Sequence, residues 1–103
     1  MKITGGHNYF VYITTNKNKT VLYTGVTNNL YRRLSEHKEN AKPFRHASFA
    51  GQYNAYFLLY YERFEYIAHA IAREKEIKGW RRSKKEALIN IENPGWKFLN
   101  DEI

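Results

Sequence analysis

The chain contains no cysteine. That excludes disulfides, thiolate zinc sites and a cysteine nucleophile, so any bound metal must rely on oxygen or imidazole ligands. It also lacks any apolar run approaching the roughly 20 residues that cross a bilayer, and no membrane partner is expected. The opening Met1-Lys2-Ile3-Thr4-Gly5-Gly6-His7 has neither the apolar stretch nor the small-residue cleavage site of a secretory signal, so a cytoplasmic location is the expectation. No internal repeat or low-complexity tract appears. What is abundant excludes disorder: 43% of residues are hydrophobic and 17% aromatic. At 103 residues the chain is expected to form one domain, 1–103, burying about two-thirds of its unfolded surface.

Acidic residues are also few. Asp and Glu total 10 against 17 Lys and Arg, for a formal charge of +7. That balance favours a polyanionic partner, bound with release of counterions, and nucleic acid leads the candidates.

Tyr9 to Thr15 alternates and is rich in β-formers, Asn16-Lys17-Asn18-Lys19 supplies turn residues, and Val21-Leu22-Tyr23-Thr24 is again β-prone. This pattern predicts a hairpin. Alternation puts Phe10, Tyr12 and Thr14 on one face and Val21 and Tyr23 on one face of the next strand, so the two tyrosines share a face if the register allows. Gly25 ends that strand. A helix is expected from an Asn28 cap to about Glu39, with Leu30, Leu34, His37 and Ala41 inward. Arg33 and His37, four apart, fall on the same side of it, whereas the neighbouring Arg32 points about 100° away. Ala41 to Asn54 reads as a loop that contacts substrate. Ala55 to Tyr61 is an unbroken apolar run, which fits a strand covered on both faces and central in the sheet. A second helix over Glu65 to Lys78 carries Ile67, Ala70, Ile71, Glu74 and Ile77 on one stripe, with Gly79 as a C′ glycine. Ser83 and Glu86 form a capping box for a third helix to about Ile91, closed by Asn93-Pro94-Gly95. The fold expected is α+β, in the order β-β-α-β-α-α around a small three-stranded sheet.

Four kinds of group suited to phosphodiester cleavage sit on these elements. Glu74 lies on a core-facing stripe, where a carboxylate needs a cation beside it. A Mg²⁺ or Mn²⁺ ion, held by one carboxylate with water and phosphate, would meet that need. A lysine or arginine partner would meet it equally, and Glu76 faces the solvated side. Arg33 can offer a bidentate hydrogen bond to a scissile phosphate, or be a solvated helix arginine. His37 is a candidate for holding a phosphate oxygen or moving a proton near neutral pH, or for packing in the core. Tyr12 and Tyr23 can orient or deprotonate water, although a phenol needs nearby cations or a metal to act as a base; both can equally be packed strand tyrosines. Arg32, Lys75, Lys78, Arg81, Arg82, Lys84 and Lys85 form a candidate backbone-binding patch, with Trp80 either stacking on a base or packing at the helix corner.

Taken together, Tyr9-Phe10-Val11-Tyr12-Ile13-Thr14, Leu22-Tyr23-Thr24-Gly25-Val26-Thr27, Asn29-Leu30-Tyr31-Arg32-Arg33-Leu34 with His37, Tyr60-Tyr61-Glu62, Ala72-Arg73-Glu74 through Trp80, and Asn93-Pro94-Gly95-Trp96 resemble the GIY-YIG nuclease superfamily. The likeness covers nearly the whole chain, and it is to the small single-domain bacterial branch akin to the excinuclease amino-terminal domain. Phe10-Val11 stands for Gly-Ile, and Thr24 for the motif isoleucine; neither change removes a functional group. The segment from Phe44 to Gln52 departs further from the pattern. The resemblance implies a three-stranded antiparallel sheet flanked by helices, and hydrolysis of DNA with one divalent metal in a repair or recombination setting. It assigns Tyr12 and Tyr23 to the attacking water, Arg33 to the phosphate and Glu74 to the metal. His37 falls at a position often held by histidine or tyrosine. Gly25 and Asn93, with Asn90 as fallback, are the substrate-positioning candidates. The competing expectation is a nucleic-acid-binding module with weak or partner-dependent catalysis; a third is a protein-interaction domain. Well-understood relatives borrow target recognition from attached domains, and the sequence leaves an accessory protein or a homo-oligomer open.

Overall fold

The computed structural model describes residues 7–40 and 54–103. Strands β1 (Tyr9–Thr15) and β2 (Leu22–Thr27) lead into helix α1 (Leu30–Asn40), followed by β3 (Phe57–Phe64), α2 (Ile67–Lys78), α3 (Arg82–Glu92) and a short 3-10 turn (Asn100–Glu102). The sheet is antiparallel in the order β2-β1-β3. Both the α+β class and the β-β-α-β-α-α order match the sequence pattern.

The hairpin turns on Asn16. Its side-chain oxygen accepts the backbone N–H of Thr20 at 2.8 Å and of Val21 at 3.2 Å, which lets Lys19 take a left-handed φ of 59°. Register pairs Tyr12 with Gly25 and Thr14 with Tyr23. Residues two apart on a strand share a face, so Tyr12 and Tyr23 lie together, as alternation predicts.

β1 is the central strand, and both its faces are buried. Val11 and Ile13 pack with Leu59, Ala70, Ile77 and Ile89 under α2 and α3. Phe10 and Tyr12 pack with Leu30, Leu34 and Leu58 under α1. This corrects the expectation for the apolar run at Ala55 to Tyr61: β3 lies at the sheet edge. It is nevertheless covered on both faces as expected, with Leu58 in the cluster under α1 and Leu59 and Tyr60 in the one under α2 and α3, and the C-terminal segment covers its outer edge. Leu99 donates its N–H to the Leu58 carbonyl at 2.8 Å, and the Asn100 side chain accepts from Leu58 N–H at 2.8 Å and donates to the Tyr56 carbonyl at 2.9 Å. A side-chain amide and a loop thus do the work of a fourth strand.

Other details depart from the sequence pattern. Asn29, not Asn28, caps α1, accepting Arg32 N–H at 3.0 Å; Asn28 receives the Arg32 guanidinium instead. Ser83 falls inside α3, whose cap position is Arg81 with no side-chain cap bond, so the capping box does not form. Gly79 keeps an ordinary right-handed backbone at φ −78°, so its glycine freedom is unused. On α2 the stripe that meets the sheet is Ala70, Glu74 and Ile77, while Ile67 and Ile71 are exposed. Ala41, and the expected substrate-contacting loop up to residue 53, lie outside the described residues.

Candidate active site

Tyr12 stands in the middle of β1, pointing to the α1 side, with its ring buried to 1% exposure. Room for the phenol comes from its cross-strand partner. A Cβ on Gly25 would fall 2.4 Å from both Cζ and Oη of Tyr12, far inside ordinary contact. Gly25 therefore acts through the empty space it leaves over β2, and as support for Tyr12 more than as a substrate contact.

Leu30, Leu34 and His37 are the buried stripe of α1. This stripe brings His37 over the two tyrosines, with ring centroids 6.1 Å from Tyr12 and 5.3 Å from Tyr23, while the two phenol rings lie 6.3 Å apart. His37 Nε2 is 2.9 Å from Tyr12 Oη. The imidazole is wholly buried, and desolvation, reinforced by the nearby Arg33 charge, lowers its pKa to about 4. It is therefore neutral at physiological pH, which among the readings open for His37 favours packing in the core over proton transfer near neutrality. It holds Tyr12. Its other nitrogen, Nδ1, is buried without a hydrogen-bond partner. A proton there would be an unsatisfied buried donor, so the tautomer protonated at Nε2 is favoured, and Nε2–H donates to Tyr12 Oη. The phenol's own hydrogen is then left to point elsewhere.

Arg33 is half-exposed, pairs with Glu36 at 3.1 Å, and interacts with the Tyr12 and Tyr23 hydroxyls. Burial opposes its charge, but hydrogen bonds with Glu36 and Tyr12 outweigh that and raise its pKa. Burial raises the Tyr12 pKa, as does Tyr23; the Arg33 hydrogen bond only partly offsets the rise. At rest Tyr12 is a neutral phenol.

Glu74 completes the set. Its carboxylate is close enough to Tyr12 for its charge to disfavour the phenolate. Its side chain is 13% exposed, and Lys78 Nζ lies 2.8 Å from Oε2. Neutralisation by lysine, one of the two alternatives for a stripe carboxylate, is thus realised. A hard divalent cation still suits this donor, since such ions are held by one or two carboxylates plus water and substrate phosphate. Among the described residues no group of three or more His, Asp or Glu could hold a metal; Glu74 would be its protein ligand.

The remaining candidates divide. The Asn93 amide donates to the Leu59 carbonyl at 3.0 Å and the Lys97 carbonyl at 2.8 Å and accepts Lys97 N–H at 3.0 Å, so it clamps the C-terminal turn. Asn90 accepts the Trp96 indole N–H at 2.6 Å. Of the basic residues, Lys78 reaches the site. Arg82 pairs with Glu86 and donates to the Thr20 carbonyl at 2.7 Å, tying α3 to the hairpin turn. Lys84 lies over the Trp80 ring at 4.4 Å with Arg73 at 5.2 Å, so Trp80 packs at the helix corner. Lys75, Arg81, Lys84 and exposed Arg32 remain at the surface, with Lys85 half-buried. Sequence reasoning missed the anchor of α2, where Arg73 forks onto Glu62 at 3.0 Å through both Nε and Nη2 while Tyr60 donates to the same carboxylate. A glutamate, Glu62, directly after two tyrosines in an apolar strand was the available signal.

A three-stranded antiparallel sheet carrying two phenols, with an imidazole and a guanidinium brought over them by α1 and a carboxylate nearby on α2, defines a nuclease-type fold. Residues 8–87 match the GIY-YIG catalytic domain, and the chain belongs to the GIY-YIG family. It is 39% identical over 83 residues to a UPF0213 protein of Natronomonas pharaonis, covering 79% of this chain and 89% of the relative. It is 33% identical over 91 residues to a UPF0213 protein of Desulfotalea psychrophila, covering 88% and 79%. The solution NMR structure of the UPF0213 protein BH0048 from Bacillus halodurans is similar, with a TM-score of 0.54 at 27% identity over 86% of this chain and 89% of that one. No helix among the described residues is long and apolar enough to cross a membrane.

Proposed function

We propose that the protein is a metal-dependent DNA endonuclease acting in repair or recombination. The observation that carries this reading is the convergence of Tyr12, Tyr23, Arg33 and His37 on one sheet face, within electrostatic reach of Glu74. A Mg²⁺ or Mn²⁺ ion at Glu74, when bound, supplies charge neutralisation on the phosphate. Arg33 binds a phosphate oxygen and offsets the charge that builds in the transition state. Tyr12 and Tyr23 orient the attacking water. When cations gather, Tyr12 can give up its proton, because His37 Nε2–H and Arg33 both donate to the resulting phenolate. His37 is a positioning residue throughout.

The Glu74–Lys78 ion pair favours a second reading, a nucleic-acid-binding module with slow or partner-dependent turnover, because lysine occupies the place the metal needs. Incubation with supercoiled, linear, single-stranded and branched DNA in Mg²⁺ or Mn²⁺, beside folded Glu74→Ala and Arg33→Ala variants, separates the two. Cleavage lost in both variants supports the nuclease. Equal behaviour of all three proteins with binding retained supports the binding module.

A further inference from the structure

The flank of α1 opposite Arg33 lines a groove that the proposed chemistry does not use. Tyr31, Leu34, Ser35 and Lys38 form its helix wall, closed by Tyr56 and Asn100 around a cavity of about 110 Å³. Lys38, Tyr56 and Asn100 are shared with a second cavity of about 290 Å³ that continues to Phe57, Phe98 and Asp101. The two cavities adjoin at these three residues.

Its walls combine flat rings with charge. Tyr56 and Phe57 have ring centroids 4.6 Å apart, and Phe57 stacks on Phe98 at 4.5 Å. Lys19 Nζ lies over the Phe98 ring at 5.3 Å, and Lys38 projects from α1 between the two cavities. At the open end Tyr31 is 70% exposed. An exposed tyrosine stands beside a cavity lined by aromatic rings, with cations at the rim and one carboxylate, Asp101, on the wall. That is a set suited to an unpaired nucleobase. The exposed Tyr31 ring can stack on its face beside the aromatic wall, the lysines take flanking phosphates, and a carboxylate accepts base-edge N–H groups. A lipid chain would not need the charges, and a free phosphate would leave the aromatic walls unused.

Placement supports the same ligand. A helix is about 10 Å across with its side chains, so a strand whose phosphate meets Arg33 on one flank reaches Tyr31 on the other within a few nucleotides. We infer that the groove from Tyr31 through Lys38 to Phe98 binds an unpaired base of the nucleic-acid substrate, close to the phosphate held by Arg33. This rests on the reading above that the substrate is a nucleic acid, and adds that the strand is single or locally opened beside the cleavage point.

The test is the full chain titrated, in EDTA, with a single-stranded oligonucleotide carrying 2-aminopurine and with the same sequence in blunt duplex. Stacking quenches the 2-aminopurine, and the single strand should bind more tightly. Tyr31→Ala, at an exposed position, and Tyr56→Leu should each weaken single-strand binding by about five-fold or more. Lys38→Gln should reduce the slope of log affinity against log salt by about 0.7. Absence of quenching, or Tyr31→Ala and Tyr56→Leu proteins that bind as wild type does, overturns the groove. Cleavage in Mg²⁺ reports separately: quenching without cleavage sinks the nuclease and keeps the groove, and cleavage without quenching does the reverse.

Discussion

Gly25→Ala is the most revealing small change available in this protein. The added methyl would sit 2.4 Å from Tyr12 Cζ and Oη and 2.9 Å from Cε1, where ordinary contact begins near 3.4 Å. Tyr12 must therefore retreat by about 1 Å. It has nowhere to go, because its ring is 1% exposed and His37 lies against its hydroxyl at 2.9 Å. Overpacking of a filled core costs about 1 to 3 kcal/mol, which lowers Tm by at least about 4 °C in a domain of this size. A displacement of about 1 Å at a reacting group costs on the order of 100-fold in rate, so cleavage should fall further than stability alone explains. Calorimetry and plasmid nicking by the folded fraction measure the two effects. A Tyr12→Leu background, which lacks the atoms met by the methyl, should tolerate Gly25→Ala, giving a coupling of about 1 kcal/mol or more in a double-mutant cycle. A Gly25→Ala protein as stable and active as wild type would refute the cradle.

Three further outcomes follow from the same geometry. His37 has a folded pKa of about 4 against about 6.5 when unfolded; the unfolded chain therefore binds the proton first as pH falls. The contribution is complete above about pH 6.5 and shrinks by about 3 kcal/mol on the way to pH 4, and urea unfolding of His37→Gln should show a shallower acid dependence than wild type. Removing the lysine at 2.8 Å from Glu74 by Lys78→Met should tighten Mn²⁺ binding by about two- to five-fold, the scale of a partly exposed ion pair; unchanged or weaker binding by electron paramagnetic resonance contradicts the competition. Asn93→Ala strips three hydrogen bonds from the C-terminal turn. It should cost about 2 to 3 kcal/mol in stability while leaving the turnover of the folded protein within a few-fold of wild type, and a selective loss of turnover would return Asn93 to the substrate.

Period and spacing carried the fold a long way. Alternation placed each phenol on a face of its own strand, because side-chain direction on a strand is local, and the hairpin register then brought the two faces together. The same holds for Arg33 and His37 on one helix side. Strand order was not local. Ala55 to Tyr61 is as apolar as a central strand, and nothing in its composition says that its outer edge meets Asn93, Leu99 and Asn100, some forty residues later in sequence. His37 was legible as an inward residue of α1; what spacing left open was which of its roles holds, because the loss of proton affinity depends on how closely α1 packs over β1 and β2. Glu74 was legible as a carboxylate needing a cation, and Lys78 four residues on was the readable partner. Gly25 reads as the glycine that ends β2, whereas the strand runs on to Thr27, and the phenol that requires the glycine sits across the hairpin. The likeness of the motif segments to one family supplied the roles that spacing alone left open.

Tyr12→Phe tests the central claim most directly, because it removes one oxygen and leaves the buried ring. The measurement is the single-turnover rate of supercoiled DNA nicking in Mn²⁺, beside the thermal unfolding of the same protein. The site described here predicts a variant folded to within a few degrees of wild type, with a rate lower by 100-fold or more, on the scale of a lost acid-base group. A Tyr12→Phe protein that nicks DNA at the wild-type rate would contradict it.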